Sequence, residues 1–195
     1  MNKILYVLLG IAFILPGHAH ALTLNNIQHR YASHRDFTVG FSQVTYQRLK
    51  GGEIHFEGKV SYKKPGHVRM DVYKPQRQII LLKETQVSIY LPEEDELSIQ
   101  EIPKEIASQN ILAFMSGIDT IEKDYEVQIK DDHLLLTPKQ GQGSIVVWVD
   151  NDYLINRIQA ADFIGNRIDL VFHNYIFDQG LSDETFSIKH PSSVP

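Results

Sequence analysis

The sequence predicts a mainly β fold: a curved antiparallel sheet forming an open half-barrel, closed by short helices acting as a lid. Three observations point there. Short runs alternate apolar and polar residues, turn signals separate these runs, and one apolar stretch keeps a helical period instead. The 195 residues are 43% hydrophobic and 22% charged, which suits one packed domain and excludes a disordered tail or a polytopic membrane protein. Cysteine is absent, so disulfide frameworks, thiolate metal sites, thiol nucleophiles and a lipid-modified N-terminal cysteine are excluded. A formal net charge of −5 argues against a broad nucleic-acid surface.

Residues 1–21 read as a cleavable signal peptide. Lys3 supplies the positive start, residues 4–15 are uncharged and apolar, and Pro16 and Gly17 break the helix. Ala19-His20-Ala21 then offers small residues at a cleavage site before Leu22. The run is too short for a spanning helix, which takes ~20 residues. The folded domain is therefore expected to be residues 22–195, and exported.

A short helix is expected to start after Asn25 or Asn26, with Ile27 and Tyr31 on one face. The period then changes to two. Phe37, Val39 and Phe41 alternate with polar neighbours, as do Phe56, Gly58, Val60 and Tyr62. Val68, Met70 and Val72 follow, then Val87, Ile89 and Leu91, then Tyr125, Val127 and Ile129, and finally Ile168, Leu170 and Phe172. Gly51-Gly52, Pro65-Gly66, Lys74-Pro75, the GQG at 141–143, Asp150-Asn151-Asp152 and Gly165-Asn166 mark turns. Residues 104–117 resist a strand reading: Ile106, Ile111, Leu112, Phe114 and Met115 fit an apolar helix that Gly117 ends. Two helical segments against a curved sheet suggest a lidded concave surface; the pattern alone favours the plainer reading, plugs that complete an ordinary core.

No catalytic constellation emerges. The seven histidines after residue 21 lack HxH, HExxH or HxxxH spacing, so neither a metal site nor a cofactor is expected. GxSxG, P-loop and GxGxxG motifs are absent, and GQG lacks the helix and lysine that phosphate binding needs. The acidic run Glu93-Glu94-Asp95-Glu96 is read as a solvated hairpin tip, with a calcium ion or a basic partner as the alternative. Lys64 is odd, because it ends the apolar stripe of Phe56, Val60 and Tyr62 on the same parity. Such a cation either reaches the rim or finds acceptors inside.

FTVGFSQ at 37–43, GKVSYKKPGHVRMDVYKPQRQIILLKETQVSIYLP at 58–92, LLLTPK at 134–139 and FSIKHP at 186–191 resemble the periplasmic outer-membrane lipoprotein carrier proteins, the LolA family. The resemblance spans nearly the whole chain after residue 21. It implies a carrier without catalysis, which takes acylated lipoproteins from an inner-membrane ABC-type release complex and passes them to an outer-membrane receptor lipoprotein. A monomer is expected. Phe41, Val60, Tyr62, Val68, Met70, Val72 and Ile89, with Phe114 and Met115, would line the acyl-chain cavity. Lys64 and Tyr31 would gate the lid; the family's usual residue at the position of Lys64 is arginine. The alternative reading is a periplasmic lipid- or lipopeptide-binding sensor or carrier paralogue of the same fold. A secreted β-rich hydrolase, a third reading, lacks any convergent set of acid, base and nucleophile.

Overall fold

The strands are β1 (Asp36–Tyr46), β2 (Glu53–Lys63), β3 (His67–Lys74), β4 (Gln78–Lys83), β5 (Gln86–Leu91), β6 (Glu96–Glu101), β7 (Tyr125–Ile129), β8 (His133–Pro138), β9 (Ser144–Val149), β10 (Ile155–Ala161) and β11 (Arg167–Phe177). They form one antiparallel sheet in the order β6-β5-β4-β3-β2-β1-β11-β10-β9-β8-β7. The computed structural model describes residues 22–83, 85–101, 118–130, 132–140, 143–161 and 165–189. The signal-peptide expectation, the helix expected at 104–117, and with it Phe114 and Met115, lie outside these residues.

Two meanders make up the sheet. β1 to β6 run outward in one direction, and β7 to β11 return from the far edge until β11 pairs with β1. The turn signals explain the meanders: Gly51 and Gly52 (φ +65° and +108°) join β1 to β2, and Gly66 (φ +63°) lies between β2 and β3. Edges β6 and β7 do not pair, so the sheet is open. The acidic run forms the β5–β6 turn, where Asp95 accepts from the Tyr90 hydroxyl at 2.9 Å.

Alternate residues from ten of these strands, with a change of parity within β10 and β11, join a single hydrophobic cluster. Side chains on one face of a sheet can meet across so many strands only if the sheet curls around them, which defines an inner and an outer face. Phe37, Val39, Phe41, Val60, Tyr62, Leu134, Val147, Ile158 and Leu170 are at most 5% exposed on the inner face. Helix α1 (Leu24–Ala32) packs on that face through Leu24, Ile27 and Tyr31. It starts earlier than the sequence pattern predicts. Thr23, not an asparagine, caps it, accepting from the Asn26 N–H at 3.2 Å. The earlier start brings Leu24 into the buried stripe, and burying that leucine outweighs the capping preference of Asn25. A 3₁₀ turn (Ile118–Lys123) precedes β7, touches α1, and buries Ile121.

Two irregularities shape the inner face and its cover. In β11 the register with β1 slips, Thr38 facing Ile176 while Gly40 faces His173, and Asn174 takes φ +59°. This bulge reverses the alternation, so Tyr175 and Phe177 turn inward with Phe172 and leave Ile176 55% exposed. After β11 the chain crosses the outer face as a strap. Asp36, only 4% exposed, accepts the backbone N–H groups of Gln179, Gly180 and Leu181 at 2.8, 3.1 and 3.1 Å. Lys63 then reaches Asp183 at 2.6 Å, and Arg69 donates to the carbonyls of Thr185 and Ser187. The strap thus crosses β1, β2 and β3 in turn, above the buried polar side chains Thr38 and Ser61.

Candidate functional site

The alternation that forms β2 and β3 also fixes which side chains meet on the inner face. Tyr62 stands opposite Val68, Val60 opposite Met70, and Gly58 opposite Val72. Across β4 the Met70 row continues through Ile80 to Ile89. Phe41 faces Gly58, whose missing side chain leaves room for the ring: a Cβ there would sit 2.6 Å from Phe41 Cε1 and 2.1 Å from the Asp71 carbonyl oxygen. Phe41, Val60, Tyr62, Val68, Met70 and Val72 are buried, and Ile89 is half-buried. The structure gathers all seven on one apolar surface. Six of the seven are packed core.

Helix α1 packs on the same inner face, and polar contacts at its C-terminal end fasten it. Lys64, half-buried at the end of β2, sends Nζ to the carbonyl oxygens of Ala32 at 2.8 Å and Tyr31 at 3.2 Å. The last carbonyls of a helix lack intrahelical donors and carry the negative end of its dipole, so a cation there satisfies both. Parity explains its direction: Lys64 continues the inward stripe of Val60 and Tyr62, and its head finds acceptors at the end of α1.

Tyr31 provides the second attachment. Its hydroxyl accepts from the Ile155 N–H at 3.0 Å and donates to the Tyr175 hydroxyl at 3.1 Å. Tyr175 in turn donates to the Ile155 carbonyl at 2.8 Å. These bonds close a ring around one residue. They are needed because the β10–β11 pairing begins only at Arg157, so Ile155 has no partner strand on that side. Burial pushes the Tyr31 phenol up to about 12 and Tyr175 well above the ordinary tyrosine value, so both stay protonated donors throughout the physiological range. Tyr31→Phe should lower stability by about 2 kcal/mol, read from the urea midpoint, because it leaves the buried Ile155 N–H without an acceptor.

A third contact ties the end of the helix to the strap. The Arg30 guanidinium lies 4.8 Å from the Phe177 ring centre and its Nη1 donates to His34 Nε2 at 3.0 Å. Arginine cannot accept, so His34 carries its proton on Nδ1 and donates it to Asp178 at 2.6 Å. That bond, with the Arg35 N–H, holds the Asp178 carboxyl below its usual range.

Sequence reasoning singles out Lys64 and Tyr31 but misses Tyr175, Ile155, His34 and Asp178. The bulge at Asn174 hides Tyr175, and nothing in a linear pattern pairs His34 with a carboxylate so far along the chain. Among the described residues no cluster of His, Asp or Glu could hold a metal ion, and no helix is long and apolar enough to cross a membrane.

The family model for the outer membrane lipoprotein carrier protein LolA matches residues 32–189. Outer-membrane lipoprotein carrier proteins from Azotobacter vinelandii and Hahella chejuensis are similar over their length. The first is 21% identical, covering 96% of this chain and 94% of the relative; the second is 25% identical, covering 81% and 79%. Among solved structures, an uncharacterized conserved protein from Thermus thermophilus has a TM-score of 0.53 at 12% identity, covering 84% of this chain and 89% of its own. A DUF1329 family protein from Desulfovibrio piger has a TM-score of 0.51 at 14% identity, covering 84% and 95%. At these identities the two structures speak to the fold alone.

Proposed function

The chain belongs to the LolA family of outer-membrane lipoprotein carrier proteins, and from that premise we propose that it binds lipoprotein acyl chains on its inner face and carries them from the inner to the outer membrane. In this reading residues 1–21 direct export and are removed. The protein works in the periplasm as a monomer, without catalysis or cofactor. It receives cargo from an inner-membrane ABC-type release complex and delivers it to an outer-membrane receptor lipoprotein.

The observation that carries the reading is an apolar inner face beneath a helix fastened by a few replaceable polar contacts. Each exposed CH₂ of an acyl chain costs about 0.8 kcal/mol in water, so an unescorted anchor aggregates or enters the nearest bilayer. A carrier must offer that surface on demand and reclaim it on release. A helix held by Lys64 and Tyr31 can leave the inner face for a chain of similar apolarity and return when the chain departs.

The test is binding of a fluorescent triacylated lipopeptide. Wild-type protein should bind it, and Met70→Lys should weaken binding at least tenfold, because the charge projects into the proposed acyl path. Ile89→Lys, at a half-buried position, is the companion variant that keeps the fold. Unchanged affinity in folded Ile89→Lys and Met70→Lys would refute the inner face as the binding surface.

A further inference from the structure

At the end of β1 remote from α1, the β1–β2 turn and the start of β11 with Gly165 before it line a groove of about 320 Å³. Tyr46, Arg48, Glu53 and Arg167 line it together with Gly52 and Gly165. The two are fixed to each other, because the Arg48 N–H donates to Asn166 Oδ1 at 3.0 Å and the Arg48 side chain lies over Gly165. Arg167 stands 5.1 Å from the centre of the Tyr46 ring.

Neither guanidinium has a carboxylate partner among the described residues. On the outer face Arg69 pairs with Asp71 at 2.8 Å and Arg157 with Asp169. Glu53, the carboxylate in the groove, is 3.4 Å from His55 Nε2. Lys50 adds a third cation on the same turn, in a chain whose net charge is −5. Between Arg48 and Lys50, Leu49 is 80% exposed, more than any other large apolar residue described. A lone exposed leucine is ordinary. One raised on a turn between unpaired cations has the composition of an interfacial anchor, apolar group toward the acyl boundary and cations toward phosphates.

We propose that the β1–β2 turn docks the protein on an anionic phospholipid bilayer, with a lipid phosphate in the groove between Arg48 and Arg167 and Leu49 in the interface. A bilayer is favoured over a soluble phosphate ester because a groove for a free anion gives no role to the exposed leucine next to Arg48 on the same turn. Phe56 and Ile168, half-buried on the inner face, lie near the same end of the sheet. Docking would therefore bring the apolar face to the membrane edge-on. That purpose rests on the carrier reading, whereas docking itself is tested on vesicles that contain no lipoprotein.

The experiment is co-sedimentation of the purified protein with vesicles of phosphatidylethanolamine and phosphatidylglycerol, and with phosphatidylcholine vesicles as the neutral control. Binding should require the anionic lipid and fall as salt rises. Arg48→Ala and Arg167→Ala should each weaken it roughly fivefold, as expected for loss of one cation near a charged surface. Leu49→Asp, at a position too exposed to affect folding, should weaken it at least as much. Leu49→Trp should give an emission that shifts to the blue with anionic vesicles and does not move with glycerol phosphate. Equal sedimentation with neutral vesicles, retention unaffected by Leu49→Asp and Arg48→Ala, or an emission change with glycerol phosphate alone would each overturn the proposal.

Discussion

Asp36→Ala should detach the strap from the outer face and lower stability by about 3 kcal/mol, measured by urea unfolding. The buried carboxylate accepts three backbone N–H groups, those of Gln179, Gly180 and Leu181. Hydrogen bonds to a charged acceptor contribute roughly 1.5–3 kcal/mol each. Their sum overstates the loss, because a freed strap can turn its donors to water. The remaining holds are weaker: the Lys63–Asp183 pair has an exposed partner, and exposed pairs are worth about 0–1 kcal/mol. Limited proteolysis should therefore cut Asp36→Ala within residues 178–187 while the sheet stays intact. Asp36→Asn, which keeps one acceptor oxygen, should lose about half as much. Wild-type resistance in Asp36→Ala would show that Lys63 and Arg69 suffice to hold the strap.

Lys64→Leu should slow delivery of bound lipoprotein to the outer-membrane receptor by about tenfold, while loading remains possible. The variant removes the two bonds from Nζ to the end of α1 and puts an apolar side chain beneath it. Lys64 is half-buried, so the lower part of the range for a charge-assisted bond applies, roughly 1.5 kcal/mol, or about a tenfold change in the ratio of closed to open states. Under the proposed carrier function, stabilising a closed, empty state favours release, so weakening it favours the loaded carrier. Lys64→Arg should transfer at least as fast as wild type, since a guanidinium reaches both carbonyls with a planar fork. Transfer by Lys64→Leu at the wild-type rate would reduce Lys64 to a helix cap without a part in release.

How much of the fold and the site is readable in the sequence depends on the kind of signal each residue leaves. Phe37, Val39 and Phe41, or Val68, Met70 and Val72, announce half-buried strands by their period of two, and the parity of Lys64 announces its direction. Ile79 to Leu82 in β4 and Ile145 to Val147 in β9 are continuous apolar runs, which carry no period and fit helix or strand alike. The adjacency of β11 and β1 is not a local property, and turn signals describe only the hairpins. Tyr175 escapes because a single residue at positive φ reverses the alternation before it. Asp36 escapes for another reason. An acid ahead of an apolar strand looks like a solvated strand end until the returning chain brings three donors to it.

The seam between β1 and β11 has a consequence for the order in which the molecule is built. Within each meander neighbouring strands are joined by turns, so their pairings close short loops and lose little chain entropy. The seam instead joins Phe37 to Phe177 and closes almost the entire polypeptide in one step. Before that step there are two half-sheets with separate apolar faces. The Tyr31–Tyr175–Ile155 ring and the Asp36 strap both draw on groups from either side of the seam. They can form only once it has closed. A chain whose last strand has not yet paired therefore has neither a fastened helix nor a shielded interior, and its greasy surface becomes enclosed only when β11 meets β1.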